Sequence, residues 1–336
     1  MVSVGQFSRG PRFDVYDKEA GEGQEDFSSK YTFKSEIGRG RFAKINRVVN
    51  RNSNESFAAK VIRRWRNGKD TLQNVMREIR IAQICCSCDR VAQIRDYHIG
   101  EREVILIFEH AVGGDLYHLV NDSDLNLPVD FVQSAVFQLL RAVSFLHSHS
   151  VVHLDVKPEN ILLRRPLPDC DVVLCDFGLA KFLDNGCLVR DLVGTPDYAA
   201  PEILDYNPIH LNTDIWSVGA VTYYLLTGVS PFWAPTKEQT FENVCLQRIS
   251  YPEDLFGEVP REAVEFIRKL LVKNPRLRPS AADCLNDPWF QSKNIQSVPP
   301  VDSQEAVSIE ITDTAVNNDH CSEQSRIDLD RSIGEC

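Results

Sequence analysis

Residues 153–178 constrain the chain more tightly than any other stretch. They open with His153-Leu154-Asp155-Val156-Lys157-Pro158-Glu159-Asn160 and close on Asp176-Phe177-Gly178. Asp155 suits acceptance of a proton from a substrate hydroxyl, Lys157 suits holding a transferring phosphoryl group, and Asn160 can ligate a magnesium ion. Such groups only a few positions apart fit phosphoryl transfer, where positioning and charge neutralisation do most of the work. A polar surface turn carries the same residue types by chance, but Asp176 at this distance makes chance a poor account. Ile161-Leu162-Leu163 and Val172-Val173-Leu174-Cys175 flank a polar, proline-containing turn. They predict a hairpin with Asn160 and Asp176 at its two ends, within reach of one ion. Magnesium takes oxygen ligands and keeps waters, so these two suffice beside phosphate oxygens.

The remaining segments set a frame for that hairpin. Ile37-Gly38-Arg39-Gly40-Arg41-Phe42-Ala43-Lys44-Ile45 reads as a glycine-rich turn between two strands, and glycines let a backbone approach phosphates closely. Any tight hairpin uses such a turn as well. Phe57–Ile62 is an apolar strand containing Lys60, which must either pair or snorkel to water. Leu72, Val75, Ile79 and Ala82 recur at helical spacing, with Glu78 at the margin of the stripe. The preceding run from Arg63 to Lys69 predicts a basic exposed loop. Glu103–Glu109 is a buried strand leading to a turn at Gly113-Gly114. From Pro128, the apolar stripe Phe131, Ala135, Leu139, Ala142 and Leu146 predicts a long helix. The segment Asp214–Leu226 is apolar all round, so it predicts a buried central helix. Asp214 near its start would cap N–H groups of that helix or of the 153–160 loop. Helices are also expected around residues 262–272 and 281–286, with the fold ending near Trp289-Phe290.

Taken in order, these features resemble the eukaryotic protein kinases over residues 31–290. The match lies in the glycine turn, Lys60 with Glu78, the 153–160 loop, Asp176-Phe177-Gly178 and Gly194-Thr195-Pro196-Asp197-Tyr198-Ala199-Ala200-Pro201-Glu202. The chain departs from the family at Leu154, where most members have Arg, at Ala43 for a third glycine, and at Ile45 for Val. Lys157 points to serine/threonine specificity. His153-Leu154-Asp155, the Phe42-Ala43 pair and the basic loop after Lys60 resemble the death-associated protein kinases, most of all the DAP-kinase-related apoptosis-inducing kinases.

The resemblance implies an α+β, bilobal fold: a small lobe (31–109) with an antiparallel sheet and one helix, a hinge (109–114) and a mainly helical lobe (115–290). It implies ATP and magnesium, with Asp155 and Lys157 catalytic and Asn160 and Asp176 on the metal. ATP would meet Ile37, Gly38, Arg39, Gly40, Arg41, Phe42, Ala43, Lys44, Ile45, Ala58, Lys60, Glu78, Phe108, Glu109, Ala111 and Asp115. Asp115, Glu159 and Thr195 would position the substrate. Asp115 and Glu159 imply protein substrates with an Arg upstream of the Ser or Thr acceptor; myosin regulatory light chain is one candidate. Apoptosis and autophagy are the implied settings. Glu202 would pair with Arg278. A pseudokinase that binds partners or ATP without transfer is the alternative, supported by Ala43 and Leu154. The segment from Asp176 to Gly194 has no Ser, Thr or Tyr. Leu154 is therefore expected to pack on Leu188, Val189, Leu192 and Val193 and hold the segment without a phosphate.

Composition narrows the partners. A net charge of −11 argues against a simple basic nucleic-acid binder. No apolar run is expected to approach the length of a membrane span, and no signal peptide is read at the N-terminus. Val2 follows Met1, which excludes N-myristoylation. The ten cysteines are scattered, as in a reducing compartment, and the expected location is cytoplasmic, with the nucleus also open. Cys85, Cys86 and Cys88 lack a second ligand pair at zinc spacing. Residues 1–30 read as a flexible leader. Residues 291–336 read as a disordered acidic tail, with nine acidic and two basic residues from Val298 onward. Calmodulin is not an expected partner, because that tail offers no basic amphipathic helix.

Overall fold

The computed structural model describes residues 27–40, 43–122, 127–183 and 188–291. Expectations for most of the leader, for Arg41 and Phe42, and for the tail beyond Gln291 fall outside them. The chain divides into two compact units, one from residues up to Gln73 with Ile94–His110, the other from Asn74–Gln93 with Ala111 onward.

The first unit is a five-stranded antiparallel sheet: β1 Tyr31–Arg39, β2 Ala43–Asn50, β3 Ser56–Arg63, β4 Ile94–Ile99 and β5 Glu103–Glu109, in the order β1-β2-β3-β5-β4. Register sorts its two faces. Ile45 lies opposite Lys60 and Lys60 opposite Leu106, while Arg47, Ala58 and Phe108 form the next row. Side chains alternate along a strand, so the other face carries Val48, Ala59, Ile105 and Ile107, which form an apolar cluster with Phe57 and Val61.

Phe27 joins that cluster. Order therefore begins before Tyr31, in a one-turn helix Phe27–Lys30. The Phe27 ring lies 5.3 Å from Tyr31, 5.0 Å from Phe33 and 5.5 Å from His98. Burying such a ring contributes about 1.5–3 kcal/mol, enough to tie down four residues read as leader. The expected basic loop is also more ordered than its composition suggests. Trp65–Arg66 pairs with Lys69–Asp70 across Asn67 (φ 47°) and Gly68 (φ 74°). An Asn-Gly pair with both φ positive is the turn that suits a two-residue hairpin. Arg64 closes it, with two nitrogens 2.8–3.1 Å from the Asp70 carboxylate.

The second unit is mainly helical. The predicted helix after Asp70 runs Leu72–Ile84, buries Val75, Glu78, Ile79, Ile81 and Ala82, and belongs mostly to this unit rather than to the sheet. The backbone after it explains why: Ala92 N donates to Leu174 O (2.9 Å) and Leu174 N to Arg90 O (3.0 Å). The helix Val129–Ser148 buries Val132, Ala135, Val136, Leu139, Leu140, Ala142, Val143 and Leu146. Its 20 residues are long and apolar enough to cross a membrane, which corrects the reading that no run approached that length. A mostly buried core helix passes the same length test, and this one carries its apolar side chains into the unit. The helix Thr213–Thr227 is buried on every side from Thr213 to Leu225, as predicted. The later expected helices appear as Arg261–Leu270 and the short turn Ala281–Cys284, and the described fold closes at Pro288–Phe290.

Candidate active site

The hairpin forms as read. Ile161–Leu163 pairs with Val172–Leu174, Leu163 opposite Val172 and Ile161 opposite Leu174. One bond beyond the ladder, Cys175 N donates to Asn160 O at 2.9 Å. Asn160 and Asp176 are thus held at the two ends of one rigid element. The Asn160 amide nitrogen donates to Asp155 O (2.8 Å) and Asp155 Oδ2 (3.0 Å), which leaves its carbonyl oxygen as the atom able to meet a cation. No three His, Cys, Asp or Glu side chains cluster as a metal site among the described residues. A cation held by Asn160 and Asp176 would draw its other ligands from water or a bound phosphate. That donor set fits magnesium, which binds through few protein groups, and not a closed structural metal.

Loop 153–160 gathers on the Asp155 carboxylate. Thr195 Oγ1 donates to Oδ1 at 3.2 Å, and Lys157 Nζ lies 2.9 Å from Oδ2. Lys157 Nζ also donates to Thr195 Oγ1 at 3.0 Å. The three sequence-predicted residues Asp155, Lys157 and Thr195 therefore form one closed triangle, with Asn160 on its second side. A carboxylate so placed is oriented by three donors and retains lone pairs for a further hydroxyl.

The loop's backbone is strained and held from beneath. Leu154 has φ +67°, a left-handed conformation that costs a side-chain-bearing residue about 1–3 kcal/mol. Asp214, fully buried, supports it: Oδ1 accepts from Leu154 N and Oδ2 from His153 N, both at 2.9 Å. Asp214 thus takes the loop-capping option among the two the sequence left open. His147 Nε2 also lies 2.9 Å from Oδ2 and must donate, because a carboxylate only accepts. His147 was missed in the sequence; its place on the last turn of a long helix, six residues before His153, was the available signal. The imidazole of His153 accepts from Asp155 N through Nδ1 (3.3 Å) and so donates through Nε2 to Cys175 O (3.2 Å). One buried ring therefore ties the loop to the segment that leads from the strand Val172–Leu174 into Asp176.

One expectation changes, and the sheet register places Lys44. Leu154 is buried, but Leu188 is 74% exposed and cannot pack on it. Leu192 and Val193 line a small apolar cleft with Pro196, Ala199, Ile203 and Leu204. Gly194 (φ +94°) takes the place beside Leu154: a Cβ there would lie 2.9 Å from Leu154 O. Lys44 opposes Val61, so it lies on the opposite face of the sheet from Ile45, Ala58, Lys60 and Phe108. Strand alternation is the reason, and Lys44 and Arg39 share that far face. Arg39 there pairs with Glu36.

Asp115 and Glu159 are both near the loop. Asp115 caps the helix Leu116–Asn121, accepting from His118 N (2.9 Å), and meets the His118 ring at 2.7 Å. Glu159 Oε2 is buried with no hydrogen-bond partner. Burial pushes the Glu159 carboxyl above its usual range, Asp155 and Asp115 push the same way, and Lys157 opposes them. A buried orphan acceptor flanked by a second carboxylate is suited to a cationic ligand. The Glu202–Arg278 pair also forms: Arg278 Nη1 and Nη2 donate to the two carboxylate oxygens at 2.7 and 2.8 Å, both residues buried.

In the first unit, Lys60, Ala58, Ile45 and Phe108 share one face of the sheet. Gly38 and Gly40 lie at its hairpin end; neither has a positive φ, and a Cβ at either would meet only ordinary contacts, 3.5 Å from Ile45 and 3.6 Å from Ala43 O. Glu78 is buried on the helix of the other unit, and Glu109 and Ala111 stand on either side of the boundary between units.

The sequence matches the protein kinase domain family over residues 31–290. It is 41% identical over 262 residues to serine/threonine-protein kinase 17A of Oryctolagus cuniculus, covering 78% of this chain and 66% of that protein. It is 37% identical to the death-associated protein kinase related protein of Drosophila melanogaster, covering 76% of this chain and 38% of that one. Death-associated protein kinase 2 of Homo sapiens is 33% identical over 84% of this chain and 74% of its own length. The chain thus spans from just over a third to about three quarters of these relatives. Among solved structures, the autoinhibited serine kinase domain of the giant muscle protein titin superposes with a TM-score of 0.72 at 31% identity, over 82% of this chain and 84% of that one.

Proposed function

The chain belongs to the protein kinase family, in its death-associated serine/threonine branch, and from that premise we propose that it transfers the γ-phosphate of ATP to Ser or Thr hydroxyls of proteins. The observation that carries the reading is the triangle of Thr195, Lys157 and Asp155. Asp155 Oδ1 and Oδ2 orient the acceptor hydroxyl and take up its proton. Lys157 offsets negative charge near the hydroxyl as the phosphoryl group moves, and Thr195 fixes the rotamer of both. Asn160 and Asp176 hold magnesium, which when bound neutralises phosphate charge. Lys60 binds nucleotide phosphates. Ile45, Ala58 and Phe108 face the base, and the backbones of Glu109 and Ala111 bond its edge.

Glu159 and Asp115 select an Arg upstream of the acceptor in this reading. An Arg can bond two carboxylates at once, and Glu159 brings an unpartnered buried oxygen. Myosin regulatory light chain is a candidate substrate, since a myosin light chain kinase A of Dictyostelium discoideum is 33% identical over 79% of this chain. Apoptotic or autophagic signalling in the cytoplasm or nucleus is the proposed setting.

The test is transfer of label from ATP to Ser/Thr peptide libraries, with Lys60→Ala and Asp155→Ala as comparisons. Transfer by the natural chain, lost in both variants while their folding is intact, supports the reading. Nucleotide binding without transfer would make the chain a non-transferring scaffold and overturn it.

A further inference from the structure

One ion pair beside the Asp155 loop has no part in the chemistry above. Lys181 Nζ contacts Asp191 Oδ2, with side chains 21% and 38% exposed. Lys181 lies opposite Val152 in the two-stranded ladder of Val151–Val152 with Lys181–Phe182. Leu183 N extends that ladder to Ser150 O at 2.8 Å. Val152 directly precedes His153 and the strained Leu154. On the other side, Asp191 leads in three residues to Gly194, which abuts Leu154 O, and then to Thr195 on Asp155 and Lys157. The pair therefore closes a ring: Lys181 to Val152, the loop to Asp155, across to Thr195, and back along the chain to Asp191.

The neighbours of Asp191 are anchored by bonds to backbone groups of residues 206 and 209. Ile209 N donates to Val189 O at 2.9 Å, and Arg190 Nη1 donates to Tyr206 O at 3.2 Å. Among the described residues, Lys181 is the cation that meets Asp191. A phosphate could not easily be added there: residues 176–194 carry no hydroxyl side chain, and the residue before Asp155 is Leu154 and not a cation.

We infer that Asp191 and Lys181 are positioning residues, a genetically encoded anion–cation brace that holds the 189–195 strap against the Asp155 loop in place of a phosphate. The inference rests on the phosphotransfer reading for its catalytic consequence, but the brace itself is a statement about order in the strap. A carboxylate carries one charge where a phosphate carries nearly two, and the pair is partly solvated. The brace is therefore weak and salt-sensitive, with an expected effect of about two- to fivefold.

The test uses the full chain made in bacteria, as natural protein, as Asp191→Asn, as Lys181→Met, and as the exchanged pair Lys181→Asp with Asp191→Lys. Two quantities are read: kcat and KM for ATP with a Ser peptide, and hydrogen exchange of peptides covering 188–195 and 151–156. Each single variant lowers kcat two- to fivefold with little change in KM for ATP, and speeds exchange in both peptides. The exchanged pair recovers both readouts, and raising salt shrinks the difference between natural chain and single variants. A merely structural surface pair would not give recovery on exchange of charges together with an effect confined to kcat. Unchanged exchange in Asp191→Asn, or an exchanged pair no better than the singles, overturns the brace. A natural chain that transfers no phosphate would refute the phosphotransfer reading, while the exchange rates would still decide the brace.

Discussion

Asp214→Asn tests how far the Asp155 loop depends on a single buried carboxylate. The substitution keeps the shape and replaces one oxygen by an NH2 group. Asp214 Oδ2 accepts from His153 N and His147 Nε2, and Oδ1 from Leu154 N, each at 2.9 Å. An amide has one acceptor oxygen. Placed at Oδ2, it keeps two bonds and sets its own N–H groups against the Leu154 N–H. Placed at Oδ1, it keeps one bond and faces two donors, so the first arrangement is the less costly. Hydrogen bonds to a charged group contribute about 1.5–3 kcal/mol, and an orphaned buried donor costs about 1–3 kcal/mol. The loop then loses about 3–5 kcal/mol of support, more than the roughly 1–3 kcal/mol that φ +67° at Leu154 costs. Leu154 relaxes out of the left-handed region, and Asp155 shifts from Thr195 and Lys157. Urea unfolding should show about 3 kcal/mol lost, and kcat should fall about a hundredfold, the same energy expressed as a rate. A variant with an unchanged urea midpoint and kcat within threefold of the natural chain would refute this account of the loop.

Three further outcomes follow from single sites. Arg278→Ala strips a buried carboxylate, Glu202, of its bidentate partner and leaves the carbonyls of Val272, Asn212 and Lys273 without their shared donor; the melting temperature should fall by about 10 °C, from a loss of about 3–5 kcal/mol, and a fall under 3 °C by calorimetry would contradict the pair's role. Gly194→Ala puts a Cβ 2.9 Å from Leu154 O at φ +94° and should cost about 1–3 kcal/mol, read by urea midpoint, with Gly194→Ser no milder. Burial raises the Glu159 pKa, so its charge, and any preference for an upstream Arg, is present above that raised pKa and fades as pH falls through it, earlier than for a free Glu. The stability sign is the reverse: the folded chain holds this proton more tightly than the unfolded one, so its contribution is present at low pH and is lost as pH rises through the raised pKa. The ratio of kcat/KM for Arg and Ala peptides against pH checks the first point; Glu159→Gln should flatten that ratio.

What could be read from the chain was whatever local pattern or local chemistry dictates. Ile161–Leu163 and Val172–Leu174 are short apolar runs around a turn, so the hairpin and its two end residues followed. The helix Thr213–Thr227 has no polar face, so its burial followed, and with it the need for Asp214 to find donors. Tertiary pairings between side chains of ordinary composition could not be read in the same way. His147, Asp191 and Lys181 sit in sequence contexts that any exposed helix end or loop would show, and only the fold gives them partners. Lys44 was grouped with its neighbours because a turn was read as a unit, whereas strand alternation sends it to the opposite face. Phe27 was hidden in a polar segment, since one aromatic has no period; its place is created by the open apolar face of the sheet. The departures from family pattern carry more information than the matches. Leu154 removes a cation at the centre of the site, and an electrostatic contact that loses one member leaves the other without purpose. Residues 176–194 accordingly carry no hydroxyl side chain, and Asp191 there meets Lys181. Restoring Arg at position 154 alone should then gain little, because its intended anion is absent and Asp191 is already engaged.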